Sequence, residues 1–178
     1  MIDVEANRRA RKWSRRELAG RVLWSLVLPL FRLSPRPLFW GWRRFLLRLC
    51  GAKIGTNAHI HPSVSIAIPW NLEIGAGAAV GDRAILYSLG PIRIGARATI
   101  SQGAHLCAGT HDWRDAAMPL LKSTIEIGAD AWICADAFIG PGVMIGQGAI
   151  VGARAVTMRN VGPSIIVAGN PACEIGKR

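Results

Sequence analysis

Aliphatic residues recur at every sixth position over most of the chain from residue 54 onward. A spacing of six is a multiple of the strand period of two and does not match the helical period of 3.6. The pattern therefore predicts short β-strands whose aliphatic side chains all point to one side. The positions are Ile54, Ile60, Ile66, Leu72, Ile74, Val80, Leu86, Ile92, Ile94, Ile100, Leu106, Ile127, Ile133, Ile139, Ile145 and Val151.

Small residues punctuate the same repeat. Glycine directly follows eight of these aliphatic residues, and Ala, Gly, Val or Thr stands four positions after each of them except Ile66, which is followed by Trp70. Short strands broken by turns every six residues are what a parallel β-helix requires, with aliphatic residues stacked inside and small residues at the corners. Such an interior has no room for a ligand, so function is expected on the outer faces, in loops or between subunits.

The repeat is interrupted between Leu106 and Ile127. These residues are 21 positions apart, which is not a multiple of six, so the chain is predicted to leave the coil from about Ala108 to Thr124 and then return. Loops that project from rigid scaffolds often carry binding and catalytic groups. This loop contains a histidine and three further polar or aromatic candidates, His111, Asp112, Trp113 and Arg114.

The first 50 residues follow a different pattern, which predicts two basic amphipathic helices. Ser14 and Glu17 form an S-x-x-E capping box, and aliphatic residues follow at fourfold spacing, namely Leu18, Val22, Leu26 and Leu30. Pro29 is expected to kink or end this helix. A second helix is predicted from Leu38 to Cys50.

The positive charge of the chain lies mainly in this N-terminal part. Residues 1–50 hold 12 Lys/Arg against 3 Asp/Glu, whereas residues 51–178 hold 10 against 8. We therefore divide the chain into a basic amphipathic helical segment, 1–50, and a hexapeptide-repeat β-helix domain, 51–178. The helices could cap the β-helix, form a trimer contact or lie on an anionic membrane surface. The nearly neutral repeat region, without a recognisable binding motif, disfavours nucleic acid as a partner.

The apolar stretch from Val22 to Phe31 is not expected to span a membrane, because it has about ten residues where roughly twenty are needed. No small-residue cleavage site follows it, so a signal peptide is not expected either. The four cysteines are widely spaced, without a C-x-x-C pair, which favours free thiols and a reducing compartment. The expected location is the cytoplasm, with peripheral contact at the inner face of the cytoplasmic membrane if the basic helices bind lipid.

Beyond the repeat, the chain resembles the hexapeptide-repeat acetyltransferases, and especially the colanic-acid-type polysaccharide O-acetyltransferases, in three stretches: S-L-G-P-I-R-I-G-A-R-A-T-I-S-Q-G-A-H-L-C-A-G-T-H-D-W, A-W-I-C-A-D-A-F-I-G-P-G-V-M-I-G-Q-G-A-I-V-G-A and V-A-G-N-P-A. The resemblance covers about residues 50–178. It implies an all-β, left-handed parallel β-helix with an N-terminal helical appendage, although the general crossover rule favours right-handed connections. It also implies a homotrimer with active sites between neighbouring subunits.

The activity implied by the resemblance is transfer of an acetyl group from acetyl-CoA to a sugar hydroxyl, in exopolysaccharide or other cell-surface glycan biosynthesis. The acceptor could be a lipid-linked glycan. An alcohol is a poor nucleophile while it keeps its proton, and histidine can take that proton near neutral pH. The family places its catalytic histidine in the interrupting loop, and the T-H-D stretch puts it at His111.

The other candidates of the acceptor side have less definite roles. Asp112 could orient His111 or bind the acceptor. Trp113 and Arg114 could line the acceptor or anchor the loop. His105 could have a structural or an acceptor-contacting role.

For the co-substrate, the resemblance places Trp132 at a CoA contact, with small residues along the pantetheine arm, where the arm must approach the strand backbone closely: Ala135, Ala153 and Ala168. The expected basic residues near the nucleotide phosphates are Arg159, Lys177 and Arg178. Relatives commonly have W-I-G and V-T-K-D where this chain has W-I-C and T-M-R-N. No metal is expected.

Two other functions stay open at the level of the sequence. A γ-type carbonic anhydrase would hold zinc with three histidines; His105 and His111 are present, but His59 and His61 lie several coils earlier and a third ligand is not obvious. A non-catalytic scaffold would use the basic helices to dock on a membrane, and His111 would then have no chemical role.

Overall fold

The computed structural model describes residues 3–35 and 38–178, and it confirms an all-β parallel β-helix preceded by helices. The helices are α1 (Val4–Arg9), α2 (Arg15–Arg32) and α3 (Trp40–Leu49), and a 3₁₀ turn lies at Pro69–Asn71. The strands are β1 Lys53–Ile54, β2 His59–Ile60, β3 Ser65–Ile66, β4 Leu72–Ile74, β5 Ala79–Val80, β6 Ile85–Tyr87, β7 Ile92–Ile94, β8 Thr99–Ile100, β9 His105–Cys107, β10 Gly109–His111, β11 Leu120–Lys122, β12 Ile125–Ile127, β13 Trp132–Ile133, β14 Phe138–Ile139, β15 Met144–Ile145, β16 Ile150–Val151, β17 Val156–Thr157, β18 Ile165–Ala168 and β19 Cys173–Lys177.

Three parallel sheets form the sides of the coil. Sheet A has the order β1-β4-β7-β12-β15, sheet C has the order β3-β6-β9-β14-β17, and sheet B runs β2-β5-β8-β13-β16-β18 and ends on β19. The strand β19 pairs antiparallel with β18 and closes the C-terminal end of sheet B. Successive coils therefore hydrogen-bond to one another along all three sides.

The predicted aliphatic repeat fills the interior. All sixteen of its positions are buried, with 7% or less of each residue exposed. Residues of successive coils pair in register, so that Ile54, Ile74, Ile94, Ile127 and Ile145 form one continuous ladder in sheet A. Sheets B and C hold matching ladders, and the sheet C ladder ends on the buried Thr157.

The outer faces of the three sheets differ in chemistry. Sheet A carries a ladder of alternating charge, in which the Arg93 guanidinium contacts Glu126 at 2.6 Å and Glu73 at 4.0 Å. Exposed ion pairs of this kind contribute little stability, but they mark a face suited to solvent. Sheet C presents aromatic and apolar side chains instead, including Tyr87, His105 and Phe138.

Helix α2 begins as predicted and ends later than predicted. Ser14 and Glu17 form the capping box, with Ser14 N–H donating to Glu17 Oε2 at 2.7 Å. Of the two effects predicted for Pro29, ending the helix is excluded, because α2 continues to Arg32. Pro29 lies in the last turn, where its missing N–H removes a single hydrogen bond, and its own carbonyl accepts from Leu33 N–H at 2.9 Å.

Helices α2 and α3 cover the N-terminal end of the coil. Phe31 and Leu47 are fully buried against the first coil. Arg43 of α3 is also fully buried, and its Nε donates to the Ile60 carbonyl at 2.7 Å. Trp24 Nε1 donates to the Ile66 carbonyl at 3.0 Å. The helices thus satisfy backbone acceptors at the end of the stack as well as burying its apolar side chains.

The other two helices differ from what the sequence predicts. Helix α3 is shorter at both ends than the predicted 38–50 helix, and α1 was not predicted. Within the described residues, 3–35 and 38–178, no helix combines the length and apolar character needed to cross a bilayer.

The corner glycines should be intolerant of a side chain where the next coil lies against them. A Cβ added at Gly75 would lie 2.5 Å from Ala96 N and 2.7 Å from Gly95 C, both backbone atoms. We expect Gly75→Ala to lower the free energy of unfolding by roughly 1–3 kcal/mol through overpacking. Urea denaturation at one fixed protein concentration measures this. Gly176→Ala is the matched control, because a Cβ there has no neighbour within 4 Å, and equal stability of the two variants would contradict the prediction.

Candidate functional site

The interruption of the repeat folds as a β-hairpin that projects from the coil. The departure and return of the chain were predicted, and the hairpin was not. Strand β10 follows directly on β9 of sheet C, and it pairs antiparallel with β11. His111 is the last residue of β10 and lies opposite Leu120, with its side chain exposed.

A backbone carbonyl at the hairpin tip orients His111. Its Nδ1 lies 2.6 Å from the Met118 carbonyl oxygen. A carbonyl oxygen can only accept a hydrogen bond, so this contact places the proton on Nδ1 and leaves the lone pair of the neutral ring on Nε2. The arrangement leaves one defined ring nitrogen, Nε2, able to accept a proton.

The tip is a tight turn that presents this carbonyl. Met118 N–H donates to the Asp115 carbonyl at 2.9 Å, and the Asp115 carboxylate accepts from Ala117 N–H at 2.8 Å. Met118 has a φ of 45°, in the left-handed region that residues with a Cβ seldom adopt. Sequence analysis did not identify Met118, because a backbone acceptor has no residue signature.

Asp112 and its neighbours shape the hairpin. The Asp112 carboxylate accepts from Arg114 N–H at 3.0 Å, within the turn itself. Trp113 is 75% exposed, and the Arg114 guanidinium lies over its ring at 4.6 Å. Trp113 and Arg114 are exposed and Asp112 is partly exposed, so a large polar molecule could approach them.

His105 occupies a different environment from His111. It lies on β9 between two aromatic rings, with its ring centroid 6.3 Å from that of Tyr87 and 5.2 Å from that of Phe138. Burial lowers the pKa of His105, which favours the neutral ring. Its Nε2 is buried, with no hydrogen-bond partner among the residues that the structure describes.

The N-terminal segment contacts the base of the hairpin. Lys122 of β11 donates to the Glu17 carboxylate at 3.2 Å, and its ammonium lies 4.3 Å from the centre of the Trp13 ring. Arg21 lies against the same ring, also at 4.3 Å. Hydrogen bonds from Ser14 N–H and the Ser14 side chain, and then Lys122, lower the pKa of Glu17 to about 2.

The predicted small residues of the co-substrate site lie near the C-terminal ends of sheet B strands, with Ala168 level with Gly152 and one position short of Ala153. Ala135 and Ala153 follow β13 and β16, and Ala168 ends β18, on three successive coils. A Cβ added at Gly152 would lie 3.0 Å from Ala168 Cβ, so these corners are closely packed. Trp132 begins β13, is 46% exposed, and donates from Nε1 to Ser101 Oγ at 2.9 Å.

The predicted basic residues do not form one cluster. Arg159 follows β17 of sheet C, whereas Lys177 pairs with Ile165 in sheet B. Arg178 donates from Nη1 to the Asp130 carbonyl at 3.0 Å, at a different corner. His111 and Trp132 are also on different sides of the coil. The hairpin of His111 follows β9 of sheet C, whereas Trp132 belongs to β13 of sheet B.

No group of three or more His, Cys, Asp and Glu side chains that could hold a metal ion occurs in the described parts of the chain, 3–35 and 38–178. The four cysteines are free thiols.

Comparison with known proteins finds sequences and folds similar to this chain among acetyltransferases. The family described as bacterial transferase hexapeptide (six repeats) matches residues 124–158. The colanic acid biosynthesis acetyltransferase WcaF of Escherichia coli (strain K12) is 44% identical over 155 residues, which cover 87% of this chain and 85% of the relative.

Solved structures share the fold. A hexapeptide-repeat acetyltransferase of Vibrio cholerae O1 biovar eltor, complexed with acetyl coenzyme A, has a TM-score of 0.85 and 24% identity, covering 94% of this chain and 91% of that one. A galactoside acetyltransferase in complex with coenzyme A has a TM-score of 0.85 and 22% identity, covering 99% and 91%. These likenesses confirm the left-handed β-helix.

The attachment of the N-terminal segment should weaken in acid through Glu17. Its pKa in the folded chain, about 2, is below the ordinary 4.5, so its stabilising effect is complete above 4.5 and is lost as the pH falls toward 2. We expect Glu17→Gln to lower the Tm most at pH 5–6, and the difference from the unchanged protein to shrink toward pH 2. Thermal unfolding across this range measures it. Glu5→Gln, on the exposed helix α1, is the control, and a pH-independent difference for Glu17→Gln would count against the prediction.

Proposed function

This chain belongs to the hexapeptide-repeat acetyltransferases, and we propose that it transfers an acetyl group from acetyl-CoA to a sugar hydroxyl, with His111 as the general base. The observation that carries this proposal is the bond between His111 Nδ1 and the Met118 carbonyl, because it leaves Nε2 as the proton acceptor. The hairpin presents this nitrogen outside the packed coil, where both substrates can reach it.

The two ring nitrogens of His111 have different roles in the reaction. Nε2 takes the proton of the acceptor hydroxyl while the oxygen attacks the thioester carbonyl, and the ring becomes an imidazolium. The Met118 carbonyl stabilises this cation, because a hydrogen bond from a charged donor is stronger than one from a neutral donor. When the tetrahedral intermediate collapses, the C–S bond breaks and Nε2 returns the proton to the CoA thiolate.

The edge of sheet B is the proposed path of acetyl-CoA. Three alanines on successive coils, the alanine strip, have short side chains, so a pantetheine arm could lie close to the backbone there. Trp132 borders the strip with an exposed indole. The proposed phosphate contacts are the exposed basic residues Arg159, Lys177 and Arg178.

A homotrimer would complete the site. The hairpin of His111 and the alanine strip belong to different sheets, so a neighbouring subunit is needed to bring a strip to each histidine. The aromatic outer face of sheet C, with Tyr87 and Phe138, suits burial between subunits better than the charged face of sheet A does. In this proposal residues 51–178 form the acetyltransferase domain and residues 1–50 a basic helical segment that packs on it.

The acceptor is proposed to be a sugar of an exopolysaccharide or another cell-surface glycan, free or linked to a lipid. The 44% identical relative is named for colanic acid biosynthesis. Trp113, Asp112 and Arg114 offer an exposed ring and polar groups beside His111, which is the combination that sugars commonly contact. His105 could contact the acceptor from the coil.

A second proposal concerns contact with a membrane through residues 1–50. The outer face of α2 exposes Leu26 by 70% and Leu30 by 53%, and α3 adds Trp42 and Phe45, whose rings stack at 5.7 Å. Exposed arginines occur on the same two helices or at their ends, namely Arg15, Arg16, Arg21, Arg32 and Arg48. Apolar and basic side chains on one surface suit anionic lipid headgroups, so this surface could hold the protein peripherally at the inner face of the cytoplasmic membrane.

Replacing the proposed base should remove catalysis without removing binding. We expect His111→Ala to lower kcat by about 10²- to 10⁴-fold, the usual contribution of a general base. The affinity for acetyl-CoA, by calorimetry, and the trimer mass, by light scattering, should stay near those of the unchanged protein. His59→Ala, another exposed histidine, is the control. Full acetyl-transfer activity of His111→Ala would refute the assignment, and stoichiometric zinc in the purified protein would favour the carbonic anhydrase alternative.

Membrane contact should depend on the exposed leucines of α2. We expect Leu26→Gln with Leu30→Gln to reduce binding to anionic phosphatidylserine vesicles by roughly tenfold to a hundredfold, because each leucine would lose apolar burial worth on the order of 1 kcal/mol. Vesicle flotation measures the bound fraction. Point substitutions keep the cap intact, whereas deletion of residues 1–50 would uncover the first coil. The control is Met144→Gln with Ile175→Gln, which changes two exposed apolar residues outside α2 and α3. An equal loss of vesicle binding in both double variants would contradict a specific lipid-binding surface.

A further inference from the structure

Helix α1 is held at the tip of the hairpin and contributes nothing to the core. None of its residues is buried. A helix of six residues is well below the roughly 12–15 at which an isolated helix becomes marginally stable in water. Its position therefore depends on contacts with the rest of the molecule.

Three hydrogen bonds join this part of the chain to residues 116–118. The backbone N–H of Asp3 donates to the Ala116 carbonyl at 2.7 Å. The Asn7 side chain donates from Nδ2 to the Ala117 carbonyl at 2.7 Å and to the Met118 carbonyl at 2.6 Å. The amide nitrogen has two hydrogens, so Asn7 can make both bonds at once.

The orientation of the Asn7 amide is fixed from its other side. Its Oδ1 accepts a hydrogen bond from Lys12 Nζ at 2.7 Å. An ammonium group only donates and a carbonyl only accepts, so Lys12 on one side and the hairpin carbonyls on the other require the same placement of oxygen and nitrogen. Asn7 therefore presents donors alone to the hairpin.

The Met118 carbonyl is where α1 and His111 meet. The same oxygen accepts from His111 Nδ1 and from Asn7 Nδ2, each at 2.6 Å. A carbonyl oxygen has two lone pairs and can hold both bonds. The turn that presents it has a left-handed residue at Met118, so its position is sensitive to the loss of an outside partner.

We propose that Asn7 is a positioning residue for acetyl transfer. By binding the Ala117 and Met118 carbonyls, it holds the Met118 oxygen where that oxygen keeps the His111 proton on Nδ1 and leaves Nε2 unprotonated. The inference rests on the proposed role of His111 as the base, and Asn7 itself touches no reacting atom. A residue of the N-terminal segment thereby acts on the catalytic chemistry of the coil domain.

The decisive variant is Asn7→Asp, which keeps the shape and loses both donors to the hairpin. In the full-length protein we expect Asn7→Asp and Asn7→Ala to lower kcat by about tenfold, with the KM for acetyl-CoA changed by less than about twofold, because orientation of the base is lost and co-substrate binding is not. Arg8→Ala, an exposed change on the same helix, should leave both constants within about twofold.

A spectroscopic readout separates positioning from general weakening of the fold. In protein with ¹⁵N-labelled histidine, the ring nitrogen shifts of His111, assigned by comparison with His111→Ala, should show the Nδ1-protonated tautomer. In Asn7→Asp the Nε2-protonated tautomer should become populated.

The possible outcomes distinguish this inference from the function on which it rests. If His111→Ala is inactive and Asn7→Asp keeps the kcat or the tautomer of the unchanged protein, Asn7 has no positioning role and His111 keeps its own. If His111→Ala is active, the proposed base is wrong and the inference falls with it. A parallel loss in kcat and tautomer, spared in Arg8→Ala, supports the inference.

Discussion

In-register stacking of aliphatic side chains from successive coils is the constraint on which this structure depends. Each inward residue packs on the residue one coil earlier and supports the residue one coil later, as Ile74 does between Ile54 and Ile94. The stacking is possible only if the backbones of neighbouring coils approach closely at the corners, which excludes a Cβ at positions such as Gly75. Because the interior is then filled, chemistry is confined to what projects outward.

The repeat made most of the coil predictable from the sequence, because its period indicates where the strands lie and which of their side chains point inward. The hairpin was predictable only as a departure, since nothing in the order of residues 108–124 fixes the pairing of β10 with β11. Pro29 does not end α2, which continues for three residues to Arg32 and buries Phe31 against the coil. Helix α1 has no such packing and no long apolar pattern, so it gave no signal.

The candidate site was also predictable from the sequence only in part. Side-chain types and motifs drew attention to His111, Trp132 and the alanines of sheet B. The partner that orients His111 is a main-chain oxygen, and any residue at position 118 would supply one. Its direction depends on a turn and on contacts more than a hundred residues away in sequence, from Asn7. Such long-range backbone geometry cannot be read from residue identities.

The two ends of the coil are covered unequally. Helices α2 and α3 bury Phe31, Arg43 and Leu47 at one end, whereas the other end is closed by the single strand β19, whose pairing with β18 is irregular near Ile166 and Val167. In a one-dimensional stack each coil is stabilised by its neighbours, so we expect unfolding to begin at the less covered C-terminal coils. Those coils carry Ala168 and the basic C-terminal residues. If acetyl-CoA binds at this proposed co-substrate site, it stabilises the folded C-terminal coils, and we expect co-substrate to slow their proteolysis.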